Sequence, residues 1–373
     1  YIRRSLVRIG DELINKSINP NVDVTPDQEI SETEEKLYNL AEKDQINSGP
    51  IDFKSVLTSA TNQINEAFNR KGKLSGIDTG FSGLNRQLGG LNKSDLIVLA
   101  GRPAMGKTAL ATNIGFNAAK SSNSHQNDAI LIFSLEMSAE QLAQRILAEQ
   151  STIDSHKLRS GDIDEKEFSK LVATQNDIYN LPFFIDDTPA ISVGQIASRA
   201  RRLKRTSGLG LIVIDYIQLI QGSKASEAQG RVQEVSSITR GLKSIAKELN
   251  VPILALSQLS RAVEQREDKR PILADLRESG SIEQDADVVM FVYREEYYLD
   301  KSEPTQRDNE NQENFNERFI KWQDRRNSAE GKAEIIISKQ RHGPTGIIQV
   351  QFEAKFTRFM DLVQDNRLPD QIY

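Results

Sequence analysis

Seven short apolar runs punctuate the chain between positions 95 and 339: DLIVLA, AILIFS, LPFFID, LIVID, PILALS, DADVVMFVY and AEIIISK. They are rich in Val, Ile and Leu and nearly unbroken by polar residues, which is the pattern of strands covered on both faces. Between the first five lie stretches of roughly 10 to 20 residues with helical periodicity. Strand and helix in alternation predict an α/β fold with a mainly parallel central sheet flanked by helices. The closing stretch IIQVQFEAKFTRFMDL reads as an antiparallel hairpin.

The first 90 residues have a different texture. Residues 1–18 read as a helix that stops before Asn19-Pro20. After a polar stretch with Pro26, ISETEEKLYNLAEKDQ opens with a cap-like Ser31-x-x-Glu34, and Ile30, Leu37, Leu40 and Ala41 fall near one helical face. Periodicity leaves two readings open: a surface helix packed on its own domain, or a linker helix docked on a neighbouring subunit. Gly49-Pro50 breaks the chain, a helix runs to about Arg70, and 73–90 reads as loop-rich. Residues 121–128 read as a small loop extension. Between Tyr298 and Gly331 the chain turns polar, and 299–331 is expected to be a partly disordered insertion. Its Phe315, Phe319, Ile320 and Trp322 form a local cluster or a partner anchor.

At 373 residues, there is room for one large domain and a smaller appendage. No apolar run is long enough to span a membrane. The N-terminus lacks the apolar core of a signal peptide and starts at Tyr1, so the chain is expected to be a fragment. Cysteine is absent, which excludes disulfides and thiol chemistry and fits a cytoplasmic location. A net charge of −5 speaks against a simple nucleic-acid coat. It leaves open a ring with a basic channel and an acidic exterior.

The strongest chemical signal is Gly101-Arg102-Pro103-Ala104-Met105-Gly106-Lys107-Thr108, a G-x-x-x-x-G-K-[ST] loop with a strand before it and a helix from Lys107. Its glycines let backbone N–H groups turn inward to phosphate oxygens, and the helix N-terminus adds positive potential. Residues 101–109, through Ala109, are the candidate ATP cradle. Lys107 would reach the β- and γ-phosphates, and Thr108 would hold Mg²⁺. Asp215 ends the LIVID strand and would hold Mg²⁺ through water.

No Glu follows Asp215. Glu136, in FSLEMS at the end of the neighbouring strand, is the candidate base for the attacking water. The alternative is a charge favouring the dipole of the next helix. Gln258, in LALSQLSR, ends a further strand and is the candidate γ-phosphate sensor; the alternative is a local strand-end hydrogen bond.

Taken in order, GRPAMGKT, SLEMS, LIVIDYIQL, LALSQLSR, DLRESGSIEQDAD and SKQRHGPTG resemble the bacterial DnaB-type replicative helicases, over roughly 25–373. The resemblance implies a RecA-like P-loop domain preceded by a helical linker, a homohexameric ring, and ATP-driven unwinding with 5′ to 3′ movement on single-stranded DNA. It implies three regions: 1–25, the end of a truncated N-terminal helical domain; 26–50, the linker helix; and 51–373, the ATPase. It assigns Lys107 and Thr108 to the phosphate loop, Glu136 to catalysis, Asp215 to Mg²⁺ and Gln258 to γ-phosphate sensing. Lys339 and Arg341, in SKQRHG, match cations offered to a neighbour's nucleotide. On chemistry alone they would be a solvated hairpin edge.

Arg277, Glu278 and Gly280 match a DNA-contacting loop, or else form a surface loop with an internal ion pair. Residues 221–231 and 261–271 are further candidate channel loops. A helicase loader and a primase are implied partners. The family's primase-contacting N-terminal domain is nearly all missing, which puts primase binding by this chain in doubt. Two rival readings are a RecA-like strand-exchange ATPase forming a filament, and an assembly or signalling ATPase that binds no nucleic acid.

Overall fold

The computed structural model describes residues 2–19, 29, 33, 36, 40, 52–69, 74–122, 128–222, 230–276, 280–307 and 310–362. Two amphipathic helices come first, α1 (Ile2–Ile18) and α2 (Phe53–Asn69). Of the linker-helix region, only positions 29, 33, 36 and 40 are described, and each is helical. The rest of 26–50 lies outside the described residues.

The 73–90 stretch holds more structure than its composition predicts. Ile77 bridges Leu91 in antiparallel fashion, and α3 (Ser82–Leu88) forms between them. Leu84 and Leu88 bury themselves under the sheet domain, and Gly89, at φ 73°, ends the helix in a left-handed turn.

Strand and helix then alternate as the apolar runs predict. β1 (Leu96–Gly101) leads into α4 (Lys107–Ser122). After β2 (Ala129–Ser134) come α5 (Ala139–Ser151), α6 (Ser155–Ser160) and α7 (Glu165–Ile178), then β3 (Phe183–Asp186). α8 (Val193–Ser207) precedes β4 (Leu209–Asp215), and α9 (Arg231–Leu249) precedes β5 (Ile253–Gln258). Ser138 with Gln141, Asp164 with Glu167, and Ser192 with Gln195 close reciprocal caps that start α5, α7 and α8. α10 (Gly280–Asp285) opens onto β6 (Val288–Tyr293), followed by α11 (Glu295–Asp300) and α12 (Gln312–Ala329). β7 (Lys332–Gln340), β8 (Gly346–Glu353) and β9 (Arg358–Asp361) complete the fold.

The nine strands form one sheet in the order β3-β2-β4-β5-β1-β6-β7-β8-β9. β1 to β6 pair in parallel and β7 to β9 antiparallel. Every residue of β1, β2 and β6 is buried, which explains the unbroken apolar runs. β5 pairs on one side of β1 and β6 on the other, so the strand order reverses at β1, and a crevice opens where such sheets bind ligands.

The segment expected to be a partly disordered insertion is mostly helix. α12 lies against α11, with Trp322 Nε1 donating to Leu299 O at 3.0 Å. Arg325 pairs with Glu295 at 2.6 Å and Arg326 with Asp300 at 2.7 Å. Phe319 and Trp322 have ring centres 5.5 Å apart, so Trp322 belongs to a local cluster. Ion pairs and amides suit a helix that packs on one narrow side, which is why the polar composition is misleading about order.

Candidate functional site

The crevice at the C-terminal ends of β1, β4 and β5 gathers most of the residues singled out from the sequence. β1 ends in Gly101, and the loop turns through Ala104 at φ 66° and Gly106 at φ 92° before α4 begins at Lys107. Gly106 has a second constraint, because a Cβ there would lie 2.9 Å from the Phe359 ring. Gly101 leaves room for Lys107, whose Cγ lies 3.0 Å from where a Cβ would stand. Lys107 folds back under the loop. Its Nζ donates to Ser257 O at 3.2 Å and lies 5.4 Å from the Tyr216 ring centre. Burial lowers its pKa, against the pull of Asp215 and Glu136.

Thr108 Oγ1 donates to Asp215 Oδ2 at 2.8 Å, so the loop and the end of β4 meet directly. Asp215 is buried, and its Oδ1 has no hydrogen-bond partner. Burial raises its pKa, and the Thr108 hydroxyl and Lys107 oppose that rise. A hydroxyl beside a half-satisfied buried carboxylate fits a hard, oxygen-seeking cation such as Mg²⁺.

Glu136 lies two residues past β2, exposed in the bend before α5. Ser134, at the end of β2, pairs with Asp215 across the ladder. Glu136 therefore faces the same crevice, and its charge acts on Lys107, Asp215 and Tyr216. Gln258 ends β5 beside Gly101. Its backbone N–H donates to Gln218 Oε1 at 3.4 Å, while Gln218 Nε2 donates to Ser257 Oγ at 3.0 Å.

Arg102 turns away from the cradle. Its guanidinium is buried and bonded to Glu264 at 2.8 Å and to Leu259 O at 3.0 Å. Within the loop it has only its main chain to offer a phosphate. Pro103, Ala104, Met105 and Ala109 are likewise backbone or packing positions, and Met105 and Ala109 are buried.

Three neighbours of the site went unnoticed in the sequence. Tyr216 and Gln218 directly follow the marked Asp215, and that adjacency was the available signal. Arg145, on α5, acts on Asp215 by its charge, and no local pattern marks it.

Lys339 and Arg341 are elsewhere. β6 runs parallel to β1 with Val288 beside Ile97, and β7 runs back with Gln340 beside Val288. Both cations thus lie at the N-terminal edge of the sheet, roughly 16 Å of strand rise from their own phosphate loop. Lys339 Nζ caps the C-terminus of α10, donating to Glu283 O and, at 2.8 Å, to Ala286 O. Burial, then the nearby Arg341, lowers its pKa. Arg341 lies 3.3 Å from Asp287, with its side chain 48% exposed.

Arg277 and Glu278 lie outside the described residues. Gly280 opens α10, exposed, with nothing within 4 Å of a would-be Cβ. Of the candidate channel loops, 223–229 is outside the described residues. The 261–271 loop is pinned rather than loose: Arg266 bonds Asp275 at 2.7 Å and Arg270 bonds Glu334 at 2.8 Å.

Residues 76–361 match the family model described as DnaB-like helicase C terminal domain. The chain belongs to this family. It is 46% identical over 367 residues to the replicative DNA helicase DnaB of Rickettsia bellii, covering 97% of this chain and 72% of the relative. Among solved structures, a stand-alone ATPase domain superposes with a TM-score of 0.71 at 33% identity, covering 84% of this chain and 100% of that one. A DnaB-like replicative helicase, in a structure that reports its interactions with primase, superposes with a TM-score of 0.75 at 31% identity, covering 97% and 76%.

As a DnaB-type helicase, the chain is an ATP-hydrolysing enzyme of DNA replication with a RecA-like fold. The strand-exchange and assembly-ATPase readings are not favoured by these relatives. No helix among the described residues is long and apolar enough to cross a membrane.

Proposed function

We propose that this DnaB-type chain binds ATP and Mg²⁺ in the crevice at β1, β4 and β5 and turns hydrolysis into movement along single-stranded DNA. The observation that carries the site is the Thr108–Asp215 contact, with a buried, unpartnered Asp215 Oδ1 next to Lys107. The backbone of 101–109 cradles the phosphates. Lys107 neutralises the β- and γ-oxygens, and the pull of phosphate on its ammonium offsets its burial. Thr108 and Asp215 hold Mg²⁺, which when bound neutralises charge developing between the β- and γ-phosphates. Glu136, exposed to the crevice, accepts a proton from the attacking water. Gln258 contacts the γ-phosphate and reports its loss along β5.

Lys339 and Arg341 do not reach their own phosphate loop, which supports a role at the next subunit's nucleotide. A planar guanidinium inserted from a neighbour stabilises charge on the transferring phosphoryl group. Such composite sites turn over only in an assembly, and the assembly proposed is a homohexameric ring. Arg277, Glu278 and Gly280 line its DNA path, gripping phosphates without reading bases. Movement is 5′ to 3′, the place of action is the cytoplasm, and a loader and a primase are further partners.

The test is ATPase rate against chain concentration, with and without single-stranded DNA. A rate per chain that climbs with concentration and again with DNA supports composite sites in a DNA motor. A flat, DNA-indifferent rate refutes the ring reading.

A further inference from the structure

Sheet register brings the start of β1, the end of α10 and the end of β7 to one point, and Asp287 occupies it. Asp287 is 2% exposed. Its Oδ2 accepts from Leu96 N at 2.8 Å and from Lys243 Nζ on α9. Its Oδ1 faces Arg341 Nη1 at 3.3 Å. The main chain repeats the connection: Asp287 N donates to Leu96 O at 2.9 Å, and Arg341 N donates to Asp287 O at 2.8 Å. Arg341 is therefore held twice by a residue that is itself held twice by the first residue of β1. That strand runs six residues to Gly101 and the phosphate loop.

Asp287 and the partly buried Asp95 set two carboxylates beside two cations, Lys243 and Arg341; Lys243 shares the Asp287 oxygen that Leu96 N also holds, and Arg341 faces the other. A buried charge is costly unless it is paired and hydrogen-bonded, and Lys243 with Leu96 N supplies that. The pairing with Arg341 adds little to burial, because the guanidinium is half in solvent. What it does is fix the direction of a long, flexible side chain at the edge of the domain.

We propose that Asp287 is a positioning residue for Arg341. It holds the guanidinium ready for a neighbour's nucleotide and links that placement to the strand carrying the chain's own phosphate loop. This rests on the reading that Arg341 acts in a neighbouring site.

The test uses the full chain with oligo-dT and ATP. In Asp287→Asn the amide oxygen still accepts from Leu96 N, while its NH₂ group faces Arg341 and cannot pair with it. The variant is expected to bind a fluorescent ATP analogue within twofold of the unaltered chain, with kcat at least tenfold lower and KM little changed. Mixed with Glu136→Ala chains, which cannot hydrolyse but carry an intact Asp287–Arg341 pair, it should regain activity. Lys243→Gln removes the other cation from the same carboxylate. It should lower the melting temperature as much as Asp287→Asn does, yet keep kcat within twofold.

Two results overturn the proposal: Asp287→Asn that stays inactive in the mixture, or Lys243→Gln that loses kcat equally, since both mark a structural role. A parallel mixture of Arg341→Ala with Glu136→Ala separates the two claims. Rescue there without rescue of Asp287→Asn sinks the Asp287 proposal alone, and rescue in neither sinks the neighbour-site reading with it. If the asparagine chain does not fold, Asp287→Glu, which keeps the charge but lengthens the arm, is read against the same outcomes.

Discussion

Replacing Glu149 with glutamine should make the domain more stable at pH 8 and less stable, by about 1 kcal/mol, near pH 4.5. Glu149 lies on α5, 6% exposed. It accepts from Asn113, on the phosphate-loop helix α4, and from Gln150 at 3.2 Å. Asn113 in turn accepts from Phe359 N at 2.8 Å, which ties the acid to the hairpin packed on Gly106. Burial pushes the Glu149 pKa up to about 7, against a weaker pull from Arg358, Gln150, Lys120 and Asn113.

An acid whose pKa is raised on folding holds its proton more tightly in the native state. Between the ordinary value of 4.5 and about 7 the native chain carries more protons, so stability falls as pH rises through that window and levels off above it. At ~1.4 kcal/mol for each tenfold change in proton affinity, the ionised form costs about 3 kcal/mol above pH 7. Glutamine never ionises and can still accept from Asn113. Its NH₂ group loses one acceptor site, which offsets about 1 kcal/mol of the gain. The net gain at pH 8 is therefore about 2 kcal/mol, or roughly 3–6 °C in melting temperature for a domain of this size. Thermal melts of both chains without nucleotide, from pH 4.5 to 8.5, provide the measurement. Melting curves that stay parallel across that range would falsify the buried-acid argument.

Lys107→Ala should abolish ATP binding by calorimetry while leaving the melting temperature level or higher, since it removes a cation whose burial is unfavourable; retained ATP affinity would remove the phosphate-loop assignment. Gly106→Ala places a Cβ against the Phe359 ring and at a φ that alanine avoids. At about 1–3 kcal/mol of strain, ATP affinity should drop at least tenfold, and a normal affinity would contradict the geometry. Trp322→Phe deletes the bond to Leu299 O and should cost about 1 kcal/mol of stability with ATPase unaltered. A changed ATPase rate would mean that α12 serves the site.

Much of this chain is legible one segment at a time. Unbroken Val, Ile and Leu runs suit strands covered on both faces, and Ser138, Asp164 and Ser192, each three residues before a Gln or Glu, start helices by local capping. The phosphate-loop pattern is just as local, because its glycines, lysine and threonine fall within eight consecutive positions. That Asp215, Glu136 and Gln258 would meet at one edge was legible because a parallel sheet sends the C-terminal ends of its strands there.

Other features depend on partners far away in sequence. Arg102 faces Glu264 instead of a phosphate, and the polar loop after β5 is pinned by Asp275 and Glu334. A raised pKa at Glu149 requires the burial that packing creates. Lys339 and Arg341 look like hairpin charges in sequence, and motif resemblance alone suggested a role for them. Only the antiparallel return of β7 against β6 put them at the edge away from their own phosphate loop. Local periodicity sets which elements form, while strand order and register decide which distant charges meet, and no short stretch of chain contains that information.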